Sequence, residues 1–176
     1  MFFSLIEKRR SIRKFKSIPV EQEKVDRIIE AALRSPSSRG FNPWRFIVVD
    51  QPELLEKLSR AKPHGASFLK GAPLGIVICA DEKRTDVWVE DASIATIFIQ
   101  LAAQAVGIGS CWIQIRKREH DELMTAESYI RSIFDIPDHF RIESMVALGY
   151  PDEERFPHSR ESLEKEKVFL NSFGIS

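Results

Sequence analysis

Ala92-Ser93-Ile94-Ala95-Thr96-Ile97-Phe98-Ile99-Gln100-Leu101-Ala102-Ala103-Gln104-Ala105-Val106 contains no charged residue and stops at Gly107. A helix lying on a protein surface keeps a polar face, whereas this one is apolar almost all round, which predicts a helix at the centre of the molecule or in a subunit interface. A membrane span needs about 20 such residues, and Thr96, Gln100 and Gln104 interrupt the run, so no membrane partner is expected. Downstream, residues 108–115 read as a strand, 118–134 as a helix stopped ahead of Pro137, and 142–148 as a second strand. Upstream, 74–80 is an apolar, β-branched run suited to a central strand, 53–61 reads as a helix and 44–49 as a buried strand. Val25, Ile28, Ile29, Ala32 and Leu33 recur at helical spacing and predict an amphipathic helix over 20–35. Between it and the first strand, Ser35-Pro36-Ser37-Ser38-Arg39-Gly40-Phe41-Asn42-Pro43 breaks both periodicities and reads as a loop. No repeat or flexible linker divides the chain. The expectation is a single α+β domain over residues 1–176, a central sheet with helices on both faces. The polar tail 155–176 carries a short helical stretch around 163–170 and is expected to wrap over a neighbour.

Lys plus Arg and Asp plus Glu each number 26, a formal net charge of zero, so no global field gathers nucleic acid or coats an anionic membrane. Against that balance, Arg9-Arg10-Ser11-Ile12-Arg13 puts three guanidinium groups and a hydroxyl into five positions. Guanidinium is the side chain best shaped for bidentate contact with phosphate oxygens, and the cluster predicts an anion site. Ser4 and Glu7 read as a capping box, which would set Arg9 and Arg10 at a helix C-terminus and make 11–15 an extended exit. The alternative for those two arginines is simple compensation of the helix dipole.

Other motifs carry less. Gly107-Ile108-Gly109 follows a helix and enters a strand, the reverse of the strand-to-helix context of a dinucleotide fingerprint, and no P-loop is present. His64, His120, His139 and His158 lack metal-ligand spacing, so no metal is expected. Ser37-Ser38 has no nucleophile elbow, and turn chemistry explains it. Cys79 and Cys111 stand apart and read as buried, reduced thiols, and the first residues lack a basic, apolar leader; both point to a cytoplasmic protein. Phosphate-binding groups without a paired acid and base fit a reaction carried by a phosphorylated cofactor.

Four segments, taken in order, resemble the FMN-dependent nitroreductase family, here as a compact member: residues 9–15, the loop 35–46, the stretch from Asp91-Ala92 to Gly107-Ile108-Gly109-Ser110-Cys111-Trp112-Ile113, and Leu148-Gly149-Tyr150-Pro151 followed by Arg160-Glu161-Ser162-Leu163-Glu164. The resemblance implies a nitroreductase-like central mixed sheet flanked by helices, and an intertwined homodimer with FMN in the subunit interface. By position, Arg9 and Ser11 would hold the phosphate and ribityl chain, with Arg10 in support. Arg13 would face the pyrimidine edge as an electrostatic aid, and Arg160 would return from the tail to the phosphate. Pro36, Ser37 and Ser38 would reach the flavin from the partner, with Asn42 near its polar edge. Ile108 and Gly109 would line the cofactor, and the backbone of Trp112, Ile113 and Gln114 would lie near the reactive N5. Many relatives carry Asn at the position of Gly40, Gln at that of Asn42 and Asn near Phe98, and a basic residue where His158 stands. The implied activity is transfer of hydride from NADH or NADPH to nitroaromatics, quinones or activated alkenes in a ping-pong cycle. The alternatives are a specialised flavin enzyme of the same fold, such as a dehalogenase, and a non-catalytic flavin- or anion-binding module.

Overall fold

The computed structural model describes residues 2–174; Met1 and the end of the tail, Ile175 and Ser176, which the expected domain includes, lie outside the described residues. In chain order the elements are α1 (Phe2–Lys8), α2 (Gln22–Leu33), β1 (Trp44–Val49), α3 (Pro52–Ser59), β2 (Leu74–Asp81), α4 (Trp88–Ala105), β3 (Gly109–Gln114), α5 (Ala126–Phe134) and β4 (Phe140–Gly149). The strands form one sheet in the order β1-β2-β4-β3, antiparallel at every pairing. Every residue of β2 from 74 to 80 is buried, as its apolar run predicts for an inner strand.

The side chains of the sheet alternate between two cores. On one face Ile76, Ile78, Val146 and Leu148 pack with Ile28 of α2 and Ile99 of α4. On the other, Val77, Ile113 and Met145 pack with Leu55 and Leu58 of α3 and Ile130 of α5. Fully burying each such side chain contributes about 1.5–3 kcal/mol. Small residues at 92, 95 and 103 bring α4 close to its neighbours, while Ile94 and Ile97 on its other side are exposed.

The expected α+β sheet with helices on both faces is what forms. Its mixed character reduces to one isolated parallel bridge, Ser11 with Ser110. β2 and β3 do run in the same direction across the α4 crossover, but β4 lies between them and pairs antiparallel with both. Three local expectations are corrected. The helix expected over 118–134 begins only at Ala126: Asp121 Oδ1 accepts from the N–H groups of Leu123 and Met124, both at 2.8 Å, to make a turn, and Thr125 caps α5 by accepting from Ser128 N at 3.1 Å. Ser4 lies inside α1, so it caps nothing. The tail holds two 3₁₀ turns, Arg160–Ser162 and Lys165–Lys167, in place of a helical stretch over 163–170.

Glu127 fastens α5 to the sheet. Its oxygens accept from Arg141 Nε at 2.7 Å, Arg141 Nη2 at 2.8 Å, Ile142 N at 3.1 Å and Arg131 Nη2 at 3.3 Å. Burial pushes this carboxyl up, but the Arg141 hydrogen bonds, the Ile142 N–H and the two guanidinium charges outweigh it and hold the group below its ordinary 4.5. A depressed carboxylate stabilises the fold above its unfolded value and stops doing so as pH falls through the folded one. Glu127→Gln is therefore expected to cost about 2 kcal/mol at neutral pH. The gap in melting temperature from the parent should close as pH is lowered below 4.5; a gap constant from pH 7 to pH 3 would remove the ionic contribution.

Candidate functional site

The arginine segment is held by main-chain bonds to the edge of β3 and to the chain that follows β4. Ile12 N donates to Ser110 O at 3.0 Å, Lys16 N to Tyr150 O at 2.9 Å, and Asp152 N to Lys14 O at 2.9 Å. The extended segment alternates its side chains, so buried Ile12 turns inward and Ser11 and Arg13 turn away from the core. Close approach is possible because the positions beneath are glycine. A Cβ on Gly109 would stand 3.0 Å from both Ile12 Cγ1 and Pro151 Cγ. Glu153 fixes the far end, its Oε1 accepting from Arg13 N at 2.5 Å and Lys14 N at 3.1 Å. These backbone bonds, Arg13 N first, hold the Glu153 carboxyl below its usual range, with Arg155 adding to them.

Arg9, Arg10, Ser11 and Arg13 then converge on one cavity of about 230 Å³, which Arg155 and His158 complete. Arg10 donates to Phe156 O, and Arg155 pairs with Glu153 at 2.8 Å. Arg9, Arg13 and Arg160 have no acidic partner among the described residues, leaving three guanidinium groups open to an external anion. Arg160 and His158 share a neighbouring cavity of about 330 Å³ with Arg9, floored by Phe3, Ile6 and Leu163. Ile108 and Gly109 line a third, with Arg10. The donor set of unpaired guanidiniums and a hydroxyl on an extended backbone fits a phosphate group. The field of Arg13 and Arg9 also reaches Cys111: burial pushes that thiol up, and the two arginines and the Ser11 hydroxyl oppose the rise.

Along β3, Trp112 Nε1 donates to Gln114 Oε1 at 3.1 Å, and Gln114 Nε2 donates to Arg116 O at 3.1 Å. Ile113 is core, so any contact it makes at the strand edge is through its backbone. The loop carrying Pro36, Ser37, Ser38 and Asn42 lies apart from the arginine cavities within one chain. Its shape is fixed locally. The Ser37 hydroxyl donates to Asn42 Oδ1 at 2.7 Å and accepts from Asn42 N at 2.9 Å, while Arg39, Gly40 and Asn42 all adopt positive φ. Gly40 is the residue suited to that backbone, having no Cβ to strain. Buried Asp91, in the first turn of α4, accepts from Ser38 N at 2.8 Å. A cavity of about 520 Å³ between α2, α3 and β1 holds none of the predicted site residues.

Sequence reasoning missed Arg155, Glu153 and the anchoring role of Asp91. Arg155 and Glu153 follow Pro151 within a few residues, and such a charge cluster beside a turn was the signal available.

The nitroreductase family model matches residues 6–64 and 59–150. Among solved structures, an FMN-dependent nitroreductase from Clostridium difficile R20291 is 48% identical and superposes with a TM-score of 0.96, covering 97% of this chain and 99% of its own. A provisionally named NADH dehydrogenase/NAD(P)H nitroreductase of Methanothermobacter thermautotrophicus is 39% identical over 96% of this chain and 85% of its own length. The Bacillus subtilis FMN reductase [NAD(P)H] is 26% identical over 92% of this chain and 72% of its own length. With its sheet, its arginine segment on the β3 edge and these matches over nearly its whole length, the chain belongs to the nitroreductase family.

Proposed function

We propose that this protein is an FMN-dependent oxidoreductase that takes hydride from NADH or NADPH and reduces nitroaromatics, quinones or activated alkenes in a ping-pong cycle. The observation that carries the reading is the convergence of Arg9, Arg10, Ser11 and Arg13 on one cavity beside the edge strand that bears Trp112 and Gln114. When bound, FMN supplies acceptance and release of hydride at N5. Arg9, Ser11 and Arg160 hold its phosphate by charge-assisted hydrogen bonds, and Arg10, tied to Phe156 O, carries the tail into place beside them. Arg13 offers positive charge where negative charge develops as hydride arrives. Ile108, Gly109 and the backbone of residues 112–114 form the wall, and the Pro36, Ser37, Ser38 and Asn42 loop reaches across from a second subunit.

That second subunit is a copy of this chain. Ile94 and Ile97 of α4, Phe2, Phe3 and Ile6 of α1, and Phe156, Leu163, Val168, Leu170 and Phe173 of the tail are all exposed. So much apolar surface on one chain calls for a partner, and tail 155–176 is the segment we assign to packing on it. Obligate interfaces of this kind bury on the order of 2,000 to 5,000 Å². Two buried free thiols fit a reducing, cytoplasmic setting, and among the described residues no helix is long and apolar enough to cross a membrane.

Purified protein is expected to show flavin absorbance bands, to release FMN on acid treatment, to oxidise NADH or NADPH when a quinone is present, and to sediment as a dimer at micromolar concentration. Colourless protein that takes up no added FMN would overturn the reading. A well-folded monomer retaining FMN would overturn the shared site, and turnover confined to halogenated phenols would establish the dehalogenase alternative.

A further inference from the structure

Glu143 sits where an apolar strand has no need of an acid. On the β2 side, Ile78 pairs with Ser144 and Cys79 with Ile142, so Glu143 is the extra residue of a bulge in β4. On the β3 side, its carbonyl accepts from both Ile115 N at 3.2 Å and Arg116 N at 3.0 Å. A bulge of this kind bends the strand and re-aims a side chain, and bulges concentrate beside active sites. The residue is 3% exposed, and its Oε2 has no hydrogen-bond partner among the described residues. An ionised carboxylate left so incompletely paired is disfavoured relative to the neutral acid. Burial accordingly pushes this carboxyl above its ordinary value, opposed by the side chains of Ser144 and Gln114 and by the charge of Arg116.

These groups come from each element around it. Ser144, on its own strand, meets Thr96 of α4 at 3.2 Å; Gln114 is on β3; Arg116 follows β3 and lies over the Trp88 ring of α4, 5.8 Å from its centroid. Arg116 also lines a cavity of about 360 Å³ that opens to solvent on that side. Glu143 is thus buried among Ser144, Gln114 and Arg116, with one charged neighbour and a cavity beside that neighbour.

The stoichiometry of the proposed reaction asks for an acid. NADH or NADPH gives up a hydride, which brings two electrons and one hydrogen nucleus. A quinone becoming a hydroquinone takes two electrons and two protons. One proton per turnover therefore comes from outside the donor. We infer that Glu143 is the proton-holding residue that supplies it beside Gln114: its O–H bond breaks, the proton passes to the reduced acceptor, and the carboxylate is reprotonated from water in the cavity that Arg116 lines. Arg116 stabilises the carboxylate while the proton is away, which keeps the release reversible. The inference rests on the oxidoreductase reading above.

Two measurements on the full-length protein test it. Infrared difference spectra of the parent at pH 7 should contain the carbonyl stretch of an un-ionised carboxylic acid, shifted in heavy water and absent from Glu143→Gln. In rapid mixing of the FMN-loaded proteins, NADH or NADPH should bleach Glu143→Gln as fast as the parent, while reoxidation by a quinone should be slower by about 100-fold, the scale of general acid catalysis. In the parent that second rate should fall as pH is raised through the titration of the carboxyl, because the acid is the competent form; in the variant this dependence should vanish. A parent without the infrared band, or a variant that reoxidises at the parent's rate and pH profile, overturns the assignment. Should Glu143→Gln fail to fold, the parent's band and pH profile decide alone. Failure of NADH and NADPH to bleach the parent would instead remove the oxidoreductase reading, and Glu143's part in turnover with it, whatever the infrared band shows.

Discussion

Gly149→Ala is expected to cost about 3 kcal/mol and lower the unfolding midpoint by about 9 °C. A Cβ at this position would stand 2.6 Å from Pro73 Cδ, 2.9 Å from Pro73 Cγ and 3.0 Å from Phe15 Cδ1. None of these contacts opens cheaply. The Pro73 ring has no rotamer to escape into, and Gly149 is paired with Gly109 of β3 while the preceding Leu148 is paired with Leu74 of β2, so the backbone cannot retreat without disturbing those ladders. Gly75 is the control: its added Cβ would meet Leu55 Cδ2 at 2.9 Å, the tip of a side chain that can turn, so Gly75→Ala should cost only about 1 kcal/mol. The two variants should also differ in function. Phe15 is the last residue of the arginine segment and bridges to Pro151, so displacing it disturbs Arg9 to Arg13 as a unit. Flavin affinity should fall in Gly149→Ala and hold in Gly75→Ala. A melting temperature for Gly149→Ala within about 2 °C of the parent would mean that the segment yields easily, and that the glycine is there for some other reason.

That glycine shows what the sequence leaves hidden. Apolar runs report burial directly for β2 and place β1 and α4 within a few residues, and the buried side of α2 follows from its 3.6 spacing; β1, expected to be buried, is instead an edge strand with only Trp44 and Val49 buried and Arg45 and Val48 exposed. The start of α5 is not, because 118–125 carries residues a helix tolerates, and only the bonds from Asp121 and Thr125 show that the chain turns there first. The arginine cluster is legible because three cations in five positions stand out against a balanced charge. Its platform is not. Gly109 and Gly149 are required by Ile12, Pro73, Phe15 and Pro151, most of them far away in sequence, so their role appears only when the strands are paired. Asp91 and Glu143 are intermediate cases. Each is a buried acid beside an apolar stretch, a local inconsistency of the kind that marks functional positions, but the partners that give it meaning lie on other elements.

Arg160→Ala and Arg13→Leu are expected to separate anchoring of the cofactor from its chemistry. Arg160 shares a cavity with Arg9 and has no acidic partner among the described residues, so it is free to bind a phosphate. A phosphate does not change during turnover, and losing one charge-assisted hydrogen bond to it removes binding of about 1.5 to 3 kcal/mol, or roughly 10- to 100-fold in FMN affinity. Because that binding is uniform along the reaction, refilled Arg160→Ala should bleach with NADH or NADPH at the parent's rate. Arg13 differs in both position and consequence. Its backbone is held by Glu153 independently of the side chain, and its guanidinium lies exposed, 5.8 Å from the Phe68 ring centroid, so leucine can replace it without unseating the segment. What is lost is positive charge at the place where negative charge arrives with the hydride. Groups of that kind are worth on the order of 100-fold in rate. Arg13→Leu at full FMN occupancy should therefore bleach about 100-fold more slowly and show a lower flavin reduction potential, a readout that an anchoring role would leave in place. Equal bleaching rates for Arg13→Leu and the parent would take Arg13 out of the chemistry. Slow bleaching of saturated Arg160→Ala would mean that the reacting end of the cofactor, and not its phosphate, lies toward the tail.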